Sequence, residues 1–341
     1  MILFSGRREY VHVGSPAASC LRAPSNNIIP VSLKLVLGLL KGMHKTFLLI
    51  FILIWPTLGY GLVFDLPKNG DDLVGEAKVT QVKQNEDFSD IAMRFDLGYY
   101  EMFEANPGVN PDSPPVNAVL IVPTQYILPL ELKKNTIVIN LAEMRLYYQP
   151  KDGNKIYIFP VGIGKEGWET PTCEITIIRK VKDPKWVVPE SIYKFREAIG
   201  DKIEKVMPPG PDNPMGKYAL ILSGTELLRI HGTNLPAGVG RRSSAGCIRL
   251  YENDIEQLYK LVSIGTKVII INQPYKAGWF GKKLYLEAHM PLFEQRIEMG
   301  DDIKPALDVV SAATKGRNVI VDWKKVSAIV KEHLTVPRVV N

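Results

Sequence analysis

A histidine and a cysteine lie sixteen residues apart within RIHGTNLPAGVGRRSSAGCIRL, residues 229–250. A thiol is only a few per cent ionised at neutral pH, so an imidazole that takes its proton makes it an effective nucleophile. Gly232 allows the chain to turn directly after His231, and Gly246 allows an unusual backbone conformation directly before Cys247. One interpretation is therefore a Cys–His pair for acyl transfer.

The same two residues have other interpretations. A buried cysteine commonly packs as a small hydrophobe, and a single histidine is commonly a polar residue with satisfied hydrogen bonds. Cys173 and Cys247 are the two cysteines beyond residue 61, and in an oxidising compartment they can form a disulfide. A zinc site is disfavoured, because no second pair of Cys or His stands at ligand spacing. The sequence therefore predicts no metal site.

The loop lies inside a segment with the pattern of a mainly β domain, residues 136–272. Alternating apolar residues predict a hairpin of TIVINL and MRLYYQ. Further predicted strands are KIYIFPVGIG, CEITIIRK, YALILSG and TKVIIINQP, with one helix near SIYKFREAIGDKI. His231 ends the strand-like LLRI, and Cys247 precedes an amphipathic helix that includes Ile255 and Leu258. We expect a sandwich or barrel in which the N-terminus of this helix favours the Cys247 thiolate.

A smaller unit precedes this domain, over residues 78–123. VTQVKQ predicts a first strand, and NAVLIVP predicts a closing strand. Between them, Asn85 or Asp87 is the expected cap of a first helix, and ANPGVN is the expected end of a second helix. This β-α-α-β pattern resembles a LysM domain, a family that binds the glycan of peptidoglycan or chitin. A small α/β domain without a sugar site is the alternative. The C-terminal extension, residues 273–341, shows no chemistry, and Asp322 is a candidate helix cap within it.

The distribution of charge argues against one class of partner. The chain has 42 Lys and Arg residues and 36 acids; six of these bases and one acid lie in residues 1–61, which leaves 36 bases and 35 acids beyond. A nucleic-acid-binding protein concentrates basic side chains on its folded part. We therefore expect no nucleic-acid partner.

The basic leader, residues 1–61, has the parts of a secretory signal. After Met43 a short basic region precedes an apolar core, and Gly59 and Gly61 supply the small residues of a cleavage site. The core is shorter than the roughly 20 apolar residues that cross a bilayer. We expect translation to start at Met43 rather than at residue 1, and the mature chain to begin at Leu62. A retained membrane anchor is the alternative.

The 229–250 loop resembles the signature of one family. Its IHGTN stretch and its SAGCIRL end are similar to those of L,D-transpeptidases with a YkuD-type catalytic domain, a mainly β sandwich or barrel. VGIG followed by ETP, and PPGPDNPMGKYAL, resemble other stretches of that family in the same order. From about residue 62 to 292 the layout is similar to the periplasmic ErfK/YbiS group, so we expect a periplasmic enzyme. One departure is Ala245, where many members have histidine.

The resemblance implies a role for individual residues of the loop. Cys247 falls on the family nucleophile, and His231 falls on the base that later protonates the leaving amine. The Gly232 carbonyl would orient the imidazole, and the amides of Gly246 and Cys247 would form the oxyanion hole. The positions expected to contact substrate are Ser244, Arg249 and Asn234. For Ser244 and Arg249, hydrogen bonding within the loop is the alternative.

The reaction that the resemblance implies needs no metal or organic cofactor. The thiolate would attack the third residue of a peptidoglycan tetrapeptide stem, meso-diaminopimelate, and release D-Ala. An amine would then take the acyl group. That amine belongs either to a second stem, giving a 3-3 cross-link, or to a lysine of an outer-membrane lipoprotein. The alternatives are a cysteine peptidoglycan hydrolase, which uses water, and a non-catalytic LysM protein that binds the cell wall.

Overall fold

The computed structural model describes residues 61–68, 70–224, 228–300 and 302–341. The start at Met43, the signal segment and the membrane-anchor alternative concern residues 1–60 and lie outside the described residues. Among the residues described, no helix has both the length and the apolar character needed to cross a bilayer.

Strands dominate the described part of the chain. The strands are β1 (Leu62–Asp65), β2 (Leu73–Gly75), β3 (Lys78–Gln81), β4 (Val119–Val122), β5 (Gln125–Ile127), β6 (Thr136–Asn140), β7 (Arg145–Gln149), β8 (Lys155–Pro160), β9 (Ile163–Gly164), β10 (Cys173–Lys182), β11 (Trp186–Val187), β12 (Val206–Met207), β13 (Tyr218–Leu222), β14 (Arg229–His231), β15 (Arg242–Ser244), β16 (Ile248–Arg249), β17 (Lys267–Ile271), β18 (Tyr275–Phe280), β19 (Lys283–Ala288) and β20 (Arg338–Val339). The helices are α1 (Phe88–Arg94), α2 (Tyr99–Ala105), α3 (Glu190–Ala198), α4 (Glu252–Leu261), α5 (Phe293–Met299), α6 (Lys304–Thr314) and α7 (Trp323–Lys331).

A nine-stranded sheet forms the centre of the predicted β domain. Its strand order is β1-β8-β7-β6-β17-β10-β13-β14-β16. β6 and β7 form the predicted antiparallel hairpin, with Asn140 opposite Arg145. β17 joins β6 in parallel, and β16 joins β14 in parallel. The prediction of a mainly β domain is confirmed.

The main core lies between one face of this sheet and α4. Ile139 of β6, together with Ile255 and Leu258 of α4, is fully buried, as strand alternation and helical spacing predict. β10 pairs with β17 along its first half and with β13 along its second half, and its register shifts between Ile177 and Arg179. Such a bulge increases the local twist, so the sheet curls at this point.

The β-α-α-β pattern of the smaller unit is present in the structure. β3 and β4 pair antiparallel, and α1 and α2 lie between them in sequence. Asp87, rather than Asn85, caps α1: its Oδ1 accepts a hydrogen bond from the Asp90 amide at 2.8 Å. Asn85 instead has a positive φ of 61°, which suits a turn.

This unit packs directly on the loop that precedes Cys247. The amide of Tyr99 donates to the carbonyl oxygen of Val239 at 3.5 Å. Gly98 and Gly240 pass so closely that a Cβ on Gly98 would lie 2.8 Å from the Gly240 Cα. These contacts make the unit a support of the loop.

The C-terminal extension forms a second layer of structure. β18, β19 and β20 make a three-stranded sheet, and residues of α6 and α7 pack on it. Asp322 caps α7 as predicted, accepting from the Lys325 amide at 3.0 Å. The β18–β19 hairpin was not predicted from the sequence.

A buried cluster of charges joins the smaller unit, the large sheet and the C-terminal extension. Arg145 of β7 forms ion pairs with Glu101 of α2, with Glu143 at 3.0 Å and with Glu287 of β19 at 3.5 Å. Lys276 of β18 lies 2.9 Å from Glu143 and 3.5 Å from Glu287. A buried charge that loses its partner costs about 3–5 kcal/mol of stability, so moving one of the three parts away from the others is unfavourable.

Candidate active site

Two neighbouring strands bring His231 and Cys247 together. β14 ends at His231, and β16 begins directly after Cys247 and pairs with β14 in parallel, with Arg249 opposite His231. This register places Cys247 beside Arg229. Both His231 and Cys247 line one cavity of about 100 Å³. Ser244 and Arg249 line the same cavity.

The His231 imidazole is buried and neutral. Its Nδ1 lies 2.6 Å from the carbonyl oxygen of Gly232. Because a carbonyl can only accept, Nδ1 carries the proton and Nε2 is left as the basic nitrogen. Burial, followed by the charge of Arg249, lowers the pKa of His231 to about 3, although main-chain groups of Gly232 and Met215 act in the opposite direction. The ring is therefore unprotonated at neutral pH.

Cys247 rests as a thiol. Burial raises its pKa, and the nearby Arg229 main chain and the charges of Arg229 and Arg249 only partly offset this. The expectation that a helix N-terminus favours the thiolate was wrong, because β16 separates Cys247 from α4, which begins at Glu252. The resting pair is thus a neutral thiol with a neutral imidazole.

Hydrogen bonds hold the turn before Cys247 in shape. Gly246 has a φ of +99°, in the region that favours glycine, as predicted. Thr170 donates to the Gly246 carbonyl at 2.8 Å. Ser244 Oγ donates to the Cys247 carbonyl at 2.6 Å and accepts from the Gly246 amide at 3.1 Å.

These bonds bear on two expected roles. Ser244 hydrogen-bonds within the loop, which is the alternative given for it above, although it also lines the cavity. The Gly246 amide, expected in the oxyanion hole, already donates to Ser244. In this conformation that amide is therefore engaged, because the hydroxyl oxygen lies within the same tight turn.

The two other expected substrate contacts differ from each other. Arg249 lines the cavity, and its Nη1 donates to the Ser243 carbonyl at 3.2 Å. Asn234 is exposed, does not line the cavity, and donates to the Asp212 carbonyl at 3.1 Å. The structure therefore brings Arg249 to the pair and leaves Asn234 outside.

Comparison with known proteins agrees with this geometry. The family model of the L,D-transpeptidase catalytic domain, YkuD, matches residues 134–270. The probable L,D-transpeptidase ErfK/SrfK of Salmonella typhimurium is 37% identical over 295 residues, which cover 84% of this chain and 94% of that protein. The chain belongs to the L,D-transpeptidase family.

Two Escherichia coli K12 relatives show the same similarity. The probable L,D-transpeptidase YbiS is 37% identical over 282 residues, covering 81% of this chain and 91% of its own. The probable L,D-transpeptidase YcfS is 42% identical over 238 residues, covering 67% and 73%. The resemblance drawn from the 229–250 loop is confirmed for the catalytic domain, and the chain is an acyl-transferring enzyme of this family.

The walls of the cavity in this L,D-transpeptidase include residues that the sequence did not single out. They are Trp168, Trp186, Pro189, Ser191, Ile192, Pro214, Met215 and Arg229. Asn213 of the NPMG stretch holds part of this wall: its side chain donates to Pro184 O at 2.9 Å and accepts from the Met215 amide at 2.9 Å. The NPMG and ETP stretches were the available signals, since Asn213 and Thr170 position the wall and the turn.

One group of side chains has the types that ligate metals, away from the cavity. Glu143, Glu287 and His289 offer atoms within 4.8 Å of one another. Lys276 and Arg145 already contact these carboxylates. The pKa of His289 is raised to about 9 by hydrogen bonds to carboxylates despite its burial, so the ring is protonated and cannot ligate a metal. This donor set fits an ion-pair cluster and not a metal site.

Cys173 lies on another strand. It stands in β10, opposite Ile270 of β17, and is not joined to Cys247. The disulfide alternative is therefore wrong, and burial raises the pKa of the Cys173 thiol, which disfavours its reactivity.

Proposed function

We propose that this L,D-transpeptidase works through a Cys247 acyl-enzyme, with His231 as general base and then general acid. The observation that supports this most is the shared cavity at two neighbouring strands, which is lined by both the thiol of Cys247 and a neutral imidazole whose Nε2 carries no proton. The Gly232 carbonyl orients the ring by accepting from Nδ1.

The first half of the reaction begins from the neutral pair. As Cys247 Sγ attacks the carbonyl carbon of diaminopimelate in a tetrapeptide stem, His231 takes the thiol proton, so a preformed thiolate is not required. The Cys247 amide stabilises the oxyanion, and Gly246 joins it if Ser244 releases that amide. Collapse of the intermediate breaks the peptide bond, and His231 returns the proton to the departing D-Ala amine.

The second half transfers the acyl group to a primary amine. The amine attacks the thioester, His231 removes one of its protons, and the thiol of Cys247 is restored as the amide forms. The acceptor is the lysine of an outer-membrane lipoprotein or the diaminopimelate of a second stem. Arg229 and Arg249 add positive charge beside the cavity, which favours the carboxylates of stem peptides.

The same proposal covers the rest of the chain. Residues 1–61 direct export to the periplasm, and residues 78–123 bind the glycan as a LysM domain. Residues 136–272 carry the reaction, and residues 273–341 support them. The β3-α1-α2-β4 order supports the LysM assignment, as do the side chains of Tyr100 and Phe103, which are 39% and 38% exposed on α2.

Product analysis tests this function. The mature protein is incubated with a tetrapeptide muropeptide and a lysine-bearing lipoprotein peptide, and the products are separated by mass. We expect an amide to one of the two amines, made by the wild type and by Cys173→Ser but not by Cys247→Ser. Tripeptide as the sole product indicates a hydrolase instead, and binding to sacculi without any product indicates a wall-binding protein.

A further inference from the structure

Two buried carboxyl groups face each other where the smaller unit meets α4. Asp96 precedes α2 and is 7% exposed, and Asp254 stands in the first turn of α4 and is 0% exposed. The carboxyl groups lie within hydrogen-bond reach of each other, a bond that forms only if one of them holds a proton. When both carboxyl groups are ionised, three of their oxygens have no hydrogen-bond partner: Asp96 Oδ2 and both carboxylate oxygens of Asp254.

No described cation forms an ion pair with these two acids. The groups that face them include Glu101, whose charge is taken up by Arg145, and the phenols of Tyr126 and Tyr251. The Tyr251 hydroxyl donates to the Leu97 carbonyl at 3.0 Å. Burial is the main cause that raises the pKa of Asp96 to about 6 and also raises that of Asp254. Buried carboxylates are ordinarily paired with a cation, so this pair lacks an expected partner.

The start of β1 lies against the pair. The main-chain N–H of Leu62 approaches Asp96 and lowers its pKa, and the N–H of Gly61 does the same to Asp254. Neither N–H gives the three unpartnered oxygens a hydrogen bond of ordinary geometry. β1 holds this position by pairing with β8, Leu62 opposite Ile158, and the Leu62 side chain packs against the core of the smaller unit.

We propose that Asp96 and Asp254 form the binding site for the chain's own α-ammonium group, created when the leader is removed between Gly61 and Leu62. This rests on the export step of the proposed function. Hydrolysis of that peptide bond by a signal peptidase leaves the carboxylate on Gly61 of the leader and the amine on Leu62. The nitrogen that faces Asp96 thereby changes from a peptide N–H into a cation with three donors.

The site is placed to affect catalysis. Asp254 belongs to the helix that follows Cys247 and β16, and Asp96 lies two residues before Gly98, which contacts the catalytic loop at Gly240. A bound ammonium ties α4 to the smaller unit. Removal of the leader therefore completes the support of the loop, and an unprocessed chain keeps two uncompensated acids there.

Two purified forms test the site without any substitution. One begins at Leu62, and the other retains two leader residues and begins at residue 60; each is released from a fusion by a protease. We expect the Leu62 form to unfold at a temperature several degrees higher at pH 7.5, because only it presents its cation to the pair. Equal midpoints, or an exported protein whose sequenced N-terminus is not Leu62, overturn the proposal.

Labelling of the α-amine gives a second measurement. In the native Leu62 form, we expect an amine-reactive ester to label the α-amino group at least ten-fold more slowly than in Asp96→Asn or Asp254→Asn, as read by peptide mapping. Asp65→Asn is the matched control, since Asp65 is exposed on the same strand and pairs with Lys155. Equal labelling rates in the wild type and both variants overturn the proposal. Acylation of Cys247 is scored separately, so its failure bears on the proposed function alone.

Discussion

Replacing Gly98 with alanine tests whether the smaller unit supports the catalytic loop. Gly98 has a φ of −85°, which alanine adopts without strain, so any effect comes from contact. The new Cβ would lie 2.8 Å from the Gly240 Cα, whereas ordinary contact begins at 3.4 Å, so the two segments must move apart. Such overpacking costs about 1–3 kcal/mol. For a protein of this size that lowers Tm by roughly 2–12 °C.

The movement should also reach the Cys247 thiol. The hydrogen bond from Tyr99 to Val239 is already 3.5 Å long and has no room to stretch, and Gly240 lies seven residues before Cys247. A misplacement of about 1 Å can lower a rate by about 10²-fold. We therefore expect acylation of Cys247 by a soluble muropeptide to slow about ten-fold or more, measured by intact mass well below Tm.

Gly108→Ala is the matched control. Gly108 lies in the same unit, and a Cβ there meets nothing within 4 Å, but its φ of +83° makes alanine strained. That variant should lose about 1 kcal/mol of stability and keep the wild-type acylation rate. Wild-type acylation by Gly98→Ala, or equal slowing by both variants, would refute the idea that the unit supports the loop.

Four further outcomes are expected. His231→Gln should be acylated slowly, at a rate that increases with pH, because only thiolate that forms without the imidazole reacts. In the wild type His231 stays unprotonated above about pH 4, so its protonation should not lower the acylation rate above that pH; stopped-flow acylation measures both rates. Arg145→Met should lower the free energy of unfolding by about 3–5 kcal/mol in urea titration, because it leaves buried carboxylates unpaired. The pKa of His289 is raised from 6.5 to about 9, so its protonated ring contributes fully to the free energy of unfolding below pH 6.5, and this contribution is lost as the pH rises through 9. His289→Gln should remove that part of the pH dependence of stability. Cys173→Ser should leave acylation unchanged, and a loss of activity there would contradict the assignment of the nucleophile.

Local patterns predicted much of the fold. The β6–β7 hairpin follows from alternation, and the caps at Asp87 and Asp322 follow from the hydrogen bonds that short acidic side chains make to helix amides. The buried charge cluster could not be predicted, because Arg145 and Glu287 lie 142 residues apart and each occurs in a strand where polar residues usually face solvent.

Residue types and spacing made His231 and Cys247 candidates, and the resemblance gave these two residues and the Gly232 carbonyl their expected roles. The structure brings the two side chains to one cavity and the Gly232 carbonyl to the His231 ring. The helix-terminus argument for Cys247 failed, because a strand of two residues, β16, is too short to recognise in the sequence. The engagement of the Gly246 amide by Ser244 depends on the geometry of the turn, which residue types alone do not define.

The most direct measurement of the central claim is the mass of the protein after brief exposure to a tetrapeptide muropeptide. We expect the mass to increase by that of the muropeptide less D-Ala, with the adduct mapped to the peptide that contains Cys247. The adduct should form on the wild type and on Cys173→Ser and be absent from Cys247→Ser, and the resemblance predicts the same pattern with a carbapenem. An adduct on folded Cys247→Ser, or one mapped to any other residue, would contradict the acyl-enzyme mechanism.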